Sequence, residues 1–261
     1  AVPATDVGTL HALADRRLAG QPLAYLTGRR GFFGLELHVT PAVLVPRPDT
    51  ETLVHAALAR LAGVAAPVVA DLGTGSGAIA CALAHARADA RVLATDRSAA
   101  ALAVARGNAR RLGLAVGFAR AHWLRALAPG VFDLIVSNPP YVAATDPHLH
   151  GDGVRCEPRT ALVAGADGLD DLRAVVAAAP AALRAGGWLL LEHGAAQGPA
   201  VRALLDQAGL CGVSTLRDAG GQERVSQAQR RPARADDGPA EVAPRRVAAP
   251  MTQDPGGPGH D

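Results

Sequence analysis

The tetrapeptide Asn138-Pro139-Pro140-Tyr141 brings together an amide, two residues without backbone donors and one aromatic face. Two consecutive prolines fix two φ angles and remove two N–H groups. A stiff turn is left, presenting the Asn amide, bare carbonyls and a ring. Such a set suits a flat, polar NH2 group: the Asn138 oxygen and a proline carbonyl accept its two hydrogens while Tyr141 covers its plane. An ordinary Pro-rich turn has the same composition, so the rest of the chain must decide. A second candidate is Asp71-Leu72-Gly73-Thr74-Gly75-Ser76-Gly77, where bare glycines let a ligand approach the backbone closely. Its spacing is G-x-G-x-G, not the G-x-G-x-x-G of a dinucleotide fingerprint. A third is Asp96, nineteen positions after Gly77, an acid that can take both hydroxyls of an adenosine ribose.

These residues need elements to hold them. Val68 to Asp71, Arg91 to Asp96, Val116 to Ala121, Phe132 to Ser137 and Trp188 to Glu192 are apolar runs of strand length. Helical patterns alternate with them from about Ala78 to Ala86, from Ser98, as cap, to about Leu112, from about Leu169 to Leu183, ended by Gly186-Gly187, and from about Pro199 to Ala208. Val213 to Arg217 and a short Glu223 to Val225 complete the pattern. Strict alternation predicts an α/β fold, an open, mostly parallel seven-stranded sheet with helices on both faces. All three candidate motifs then fall at C-terminal strand ends, the edge where such sheets bind ligands.

Upstream, Leu10, Leu13 and Leu18 fit one amphipathic helix within residues 1–20. Phe33, Leu35, Leu37 and Val39 alternate as a half-buried strand, and Pro41 turns the chain toward Val43-Leu44-Val45, which predicts a β-hairpin. Asp49 or Thr50 is expected to cap a helix from about Glu51 to Leu61. The expected units are therefore 1–20, a hairpin and linker helix over 21–62, a Rossmann-like domain over 63–225, and a tail over 226–261. That tail carries five Arg, five acidic residues and almost no large apolar side chains, a composition that predicts disorder.

Composition excludes several classes. At 49% hydrophobic and 3% aromatic residues the core must be aliphatic, and a formal charge of +2 demands neither nucleic acid nor membrane as partner. All 26 basic residues are Arg, the mark of a GC-rich coding bias. Cys81, Cys156 and Cys211 are odd in number and far apart, which points to a reducing, cytoplasmic setting and to neither disulfides nor zinc. His148-x-His150, with Asp146 and Asp152 nearby, reads as a solvated loop, so no metal is expected.

Taken together, the motifs resemble class I S-adenosylmethionine-dependent methyltransferases acting on nitrogen. The flanks Gln21-Pro22-Leu23-Ala24-Tyr25, Arg30-Gly31-Phe32-Phe33-Gly34, Pro46-Arg47-Pro48-Asp49-Thr50-Glu51, Arg155-Cys156-Glu157-Pro158 and Leu191-Glu192-His193-Gly194 narrow this. They resemble the peptide chain release factor glutamine N5-methyltransferases, the HemK-like family, over roughly Leu10 to Val225. That resemblance implies S-adenosyl-L-methionine as cofactor and, as partner, the Gly-Gly-Gln loop of a class 1 release factor. It implies that Gly73, Thr74, Gly75, Ser76, Gly77 and Asp96 hold the cofactor with Trp123 flanking its adenine. Asn138 would contact cofactor and substrate, and Pro139, Pro140 and Tyr141 would complete the amide pocket. A monomer without direct nucleic-acid contact is expected.

Departures from the family pattern predict consequences of their own. His122 stands where an acidic residue usually precedes the Trp, which predicts weaker adenine binding. Residues 1–20 are a remnant of the family's N-terminal helical domain, which predicts weaker docking of the protein substrate. Gly220-Gly221-Gln222 spells the substrate tripeptide and reads as a turn before the last strand. Two rival readings stand at this point: methylation of an exocyclic amino group on a nucleobase, and an eroded, non-catalytic cofactor-binding protein.

Overall fold

The computed structural model describes residues 4–125, 127–151 and 153–232. Elements follow in the order α1 (Ala4–Leu18), α2 (Leu23–Thr27), β1 (Arg29–Phe32), β2 (Leu35–His38), α3 (Glu51–Arg60), β3 (Val68–Leu72), α4 (Ala78–Ala86) and β4 (Arg91–Asp96). After these come α5 (Ala99–Arg111), β5 (Val116–Arg120), β6 (Phe132–Ser137), α6 (Asp170–Ala182), β7 (Leu183–Glu192), α7 (Gly198–Gln207), β8 (Cys211–Arg217) and β9 (Glu223–Gln229).

Seven strands form one sheet in the order β5-β4-β3-β6-β7-β9-β8, and only β9 runs antiparallel to its neighbours. The central strands β3 and β6 are buried along their whole length, as expected where helices cover both faces. Alternation divides their side chains between two cores. Val69, Leu134 and Val136 face Leu53, Ala57 and Leu83 of α3 and α4. Val68, Ala70, Leu72 and Ile135 face Leu172, Val175, Val201 and Leu205 of α6 and α7. Ser98 caps α5 as expected, its hydroxyl accepting from the Ala101 N–H at 3.2 Å.

Four expectations need correction. The hairpin pairs Arg29–Phe32 with Leu35–His38 around Phe33-Gly34, so the break comes inside the alternating run; Gly34, at φ 73°, supplies the left-handed turn. Val43 to Val45 forms no strand; the Val43 N–H closes a turn on the Thr40 carbonyl at 3.1 Å, and side chains take two further backbone groups, Tyr25 Oη donating to the Val43 carbonyl and Glu157 accepting from the Val45 N–H. Gly186-Gly187 does not stop α6, which ends at Ala182; both glycines lie inside β7, where a Cβ on Gly187 would sit 2.8 Å from the Phe132 carbonyl. Finally β9 continues through Ser226, Gln227 and Ala228, all buried. Gln227 is satisfied by Arg60 and Ser214, so polar residues that read as tail belong to a ladder. The predicted disorder beyond Pro232 lies outside the described residues.

The N-terminal helix α1 is present, but Leu10 and Leu18 are 61% and 85% exposed, so its leucine stripe covers no core among the described residues. Its end is tied to the body by Arg155, which donates to the Ala19 carbonyl at 2.6 Å. Gly220-Gly221-Gln222 is an exposed turn closed by Asp218, which accepts from the Gln222 N–H at 2.9 Å.

Four of the five residue pairs joining β9 to β7 lie at or beyond Ser226. A chain ended at Val225 is therefore expected to lose its cooperative thermal transition in circular dichroism, while one ended at Pro232 retains it. A Val225 truncation that melts like the full chain would show that the ladder adds nothing.

Candidate active site

The site is built by strand register. Leu72 pairs with both Thr95 and Ser137, and Ser137 pairs with Leu191. The next residues, Gly73, Asp96, Asn138 and Glu192, therefore stand at one level at the ends of their strands. The order reverses between β3 and β6, so their loops diverge and open a crevice.

A cavity of about 340 Å3 occupies that crevice, lined by Gly73, Gly75, Asp96, Trp123, Asn138 and Pro140 among others. Thr74 and Ser76 also line it, whereas Gly77 does not. Gly73 and Gly75 have φ of 69° and 56°, a backbone that lets no ordinary side chain intrude. Gly77 serves packing: a Cβ there would press on Ala105 of α5 at 3.1 Å. The loop is pinned from below by Asp71, whose Oδ2 accepts from Thr74 Oγ1 at 2.6 Å and from the Ala80 N–H at 3.1 Å. Complete burial pushes the Asp71 carboxyl up to about 7, against the pull of Thr74 and Ala80.

Asp96 is aimed by two backbone donors, Gly75 N–H to Oδ2 at 3.0 Å and Ser98 N–H to Oδ1 at 2.8 Å. Each oxygen keeps lone-pair capacity for a ligand hydroxyl. Trp123 holds the left-handed backbone at φ 52°, a strained state for an aromatic residue. Its ring packs over Gly73, where an added Cβ would meet it at 3.2 Å, and its indole N–H donates to Asp171 Oδ1 at 3.1 Å. An adenosyl group fits this donor set: a flat aromatic wall, a bare glycine floor and an oriented carboxylate.

Asn138 lines a second cavity as well, of about 170 Å3, with Leu44, Arg47, Pro139, Tyr141, His148 and Leu162. It thus stands in the wall shared by two chambers. Its Nδ2 donates to Thr50 Oγ1 at 3.1 Å. Tyr141 Oη donates to Glu192 Oε1 at 3.3 Å, and burial together with that carboxylate pushes the phenol up. On the outer side, Glu157 accepts from Arg47 at 2.6 Å and from Val45 N–H at 3.1 Å. His148 pairs with Asp146 at 2.8 Å, and Asp152 lies outside the described residues.

The sequence-derived residues therefore converge, with Gly77 set back in the packing. Three others were missed as site residues. Thr50 and Glu192 lay in motifs quoted only for their likeness to a family. Asp171 is 48 positions from the indole it bonds, a separation that no local pattern bridges.

A family model described as "Methyltransferase small domain" matches residues 49–150. A release factor glutamine methyltransferase of Xylella fastidiosa is 55% identical over 84% of this chain and 80% of its own. Its Escherichia coli counterpart is 49% identical over 83% and 78%. The chain belongs to the release factor glutamine methyltransferase family. A solved 16S rRNA N2 G1207 methyltransferase from T. thermophilus, in complex with AdoMet and guanosine, is 26% identical over 78% of this chain and 50% of its own, with a TM-score of 0.59. That likeness accords with the class I methyltransferase fold. The segment matched by the methyltransferase model carries the glycine loop, Asp96, Trp123 and the tetrapeptide, but ends before Glu192.

Glu192 is buried to 1% exposure, and burial pushes its carboxyl from 4.5 up to about 7, with Thr50, Arg224 and Tyr141 pulling it down and Asp49 raising it. Between those two values the folded state holds a proton that the unfolded chain has lost, so this group's contribution to stability is lost as pH rises. Glu192→Gln removes that dependence. The difference in unfolding free energy, variant minus wild type, is expected to rise by about 1–3 kcal/mol between pH 5 and pH 8 in denaturant titrations. A flat difference would show that Glu192 titrates as it does in water.

Proposed function

We propose that this chain transfers a methyl group from S-adenosylmethionine to the side-chain amide nitrogen of the glutamine in the Gly-Gly-Gln loop of class 1 release factors. The observation that carries the reading is Asn138 in the wall between a nucleoside-sized chamber and a smaller one edged by Pro139 and Tyr141. The names of relatives at 49–55% identity supply the substrate class. The nucleobase alternative has more distant solved structures behind it, among them the rRNA enzyme at 26% identity. Free thiols at Cys81, Cys156 and Cys211 suit a reducing, cytoplasmic setting.

When bound, the sulfonium cofactor supplies an electrophilic methyl group. Asp96 would hold the ribose, and Trp123 with Gly73 would flank the adenine. A carboxamide nitrogen is a poor nucleophile because its lone pair is delocalised into the carbonyl. Asn138 Oδ1, which accepts no hydrogen bond among the described residues, takes one N–H of the substrate glutamine, and the Pro139 carbonyl takes the other. Both hydrogens are then fixed and the nitrogen is aimed toward the first chamber. Positioning and fixed dipoles supply the rate. The nitrogen sheds a proton once it has gained its methyl group, so no strongly basic side chain is required.

Labelled cofactor is expected to methylate an intact release factor and not one whose Gly-Gly-Gln glutamine is replaced; label independent of that residue would refute the substrate. Asn138→Ala is expected to lower kcat about 1,000-fold, with cofactor affinity by calorimetry largely retained. Asp96→Ala reverses the pattern, weakening cofactor binding first.

A further inference from the structure

Thr50 breaks a local rule. It is the N-cap of α3, but with φ −65° and ψ −18° at the end of a 3-10 turn over Pro48–Thr50, not in the extended backbone from which a Thr hydroxyl caps a helix. Here it makes no capping bond. It is 4% exposed, and its Oγ1 accepts instead from Asn138 Nδ2, 88 residues away. A hydroxyl that accepts still has a hydrogen to donate. Behind it lies Glu192, fully enclosed, with Tyr141 on Oε1 and no hydrogen-bond partner on Oε2. The Thr50 hydroxyl is close enough to favour the charged carboxylate, as is Arg224. The spare hydroxyl hydrogen of Thr50 is a donor available to that carboxylate.

We infer that Glu192 and Thr50 form a polar relay that fixes which way round the Asn138 amide points. Once it has lost its proton, the Glu192 carboxylate can only accept. It forces the Thr50 hydroxyl to donate inward, so Oγ1 must accept from outside and Asn138 must present its NH2 group to it. Oδ1 is thereby left for the substrate. Without the relay the Asn138 amide can rotate by half a turn and offer donors to an NH2 group that has no acceptor for them. Thr50 and Glu192 are positioning residues that act through Asn138, and Thr50 also lines the larger cavity. Glu192 also receives the Tyr141 hydroxyl, so one buried carboxylate orders both Asn138 and Tyr141 in the smaller chamber. The inference rests on the methyl-transfer reading for its catalytic consequence, but the amide orientation itself can be observed without turnover.

Asn108 and Asn138 are the chain's only asparagines, so selective 15N-asparagine labelling gives two side-chain NH2 pairs. Asn108, bonded to the His38 and Ser76 carbonyls at 2.9 Å each, is an internal control. In Thr50→Val the Asn138 pair is expected to exchange with solvent at least about 10-fold faster, with kcat down about 10- to 100-fold, the cofactor dissociation constant moved far less than kcat, although Thr50 also lines the larger cavity, and the Asn108 pair unmoved. Thr50→Ser should restore both readouts. Glu192→Gln, which leaves Thr50 in place and can offer it an NH2 group, should lower kcat about 10-fold, and the double variant Thr50→Val/Glu192→Gln should be no worse than Thr50→Val alone. An Asn138 pair in both single variants that exchanges as in wild type overturns the relay, as do additive losses in the double variant. Wild-type protein that methylates no release factor while its Asn138 pair still responds to Thr50→Val would instead refute the proposed reaction and leave the relay standing.

Discussion

The site depends first on parallel strands ending in step where the sheet order reverses. β3 pairs with β4 on one side and β6 on the other, with Leu72 opposite both Thr95 and Ser137. A shift of one residue would turn every side chain to the other face, exchanging Val69 for Ala70 in cores already filled by α4 and α6. Packing thus fixes register, and register fixes the heights of Gly73, Asp96 and Asn138. Asp71 transmits the same constraint into the loop. Its Oδ1 is buried without a partner, a cost that a purely structural turn has no reason to carry. Its other oxygen locks Thr74 and the first turn of α4.

The acceptor side is assembled by a different route. Its wall is the irregular segment between β2 and α3, which has no ladder to hold it. Long-range polar bonds take that role: Tyr25 to the Val43 carbonyl, Val45 and Arg47 to Glu157, and Asn138 to Thr50. The Arg47–Glu157 pair spans 110 residues with the carboxylate buried. Removing one partner of such a pair leaves the other uncompensated, so these bonds specify position more than they add stability. A chamber walled this way can be adjusted without disturbing the strands that hold the nucleoside side.

This division explains what could be read from the sequence. Buried strands and the helices between them have a period, and the predicted limits of β4, α4 and β6 agree with the observed ones. The glycine loop, Asp96 and the tetrapeptide were legible because each sits next to such a run. Where polar residues enter a ladder the period disappears, and Ser226 and Gln227 of β9 read as tail although Val225 and Ala228 beside them are fully buried. Val43 to Val45 failed in the opposite sense, an apolar run whose backbone partners are a local turn and two side chains and no strand. Thr50 had a standard local role available, and only its backbone and the distant Asn138 reveal that it does not perform it.

Trp123 shows why position in the chain and position in space must be kept apart. With His122 in front of it, the indole lacks the acidic neighbour expected from the family pattern. Yet the ring is not without a carboxylate, because Asp171 accepts its N–H at 3.1 Å from the first turn of α6. A helix N-terminus favours an acid there, and partial burial, which raises the Asp171 carboxyl against the pull of Trp123, Arg97 and His122, strengthens a hydrogen bond made in reduced dielectric. The strained backbone of Trp123 is held by that bond on one side and by contact with Gly73 on the other. The aromatic wall of the chamber is therefore fixed by an acid 48 residues downstream, and the change at position 122 alters the rim of the chamber without removing the support of its wall.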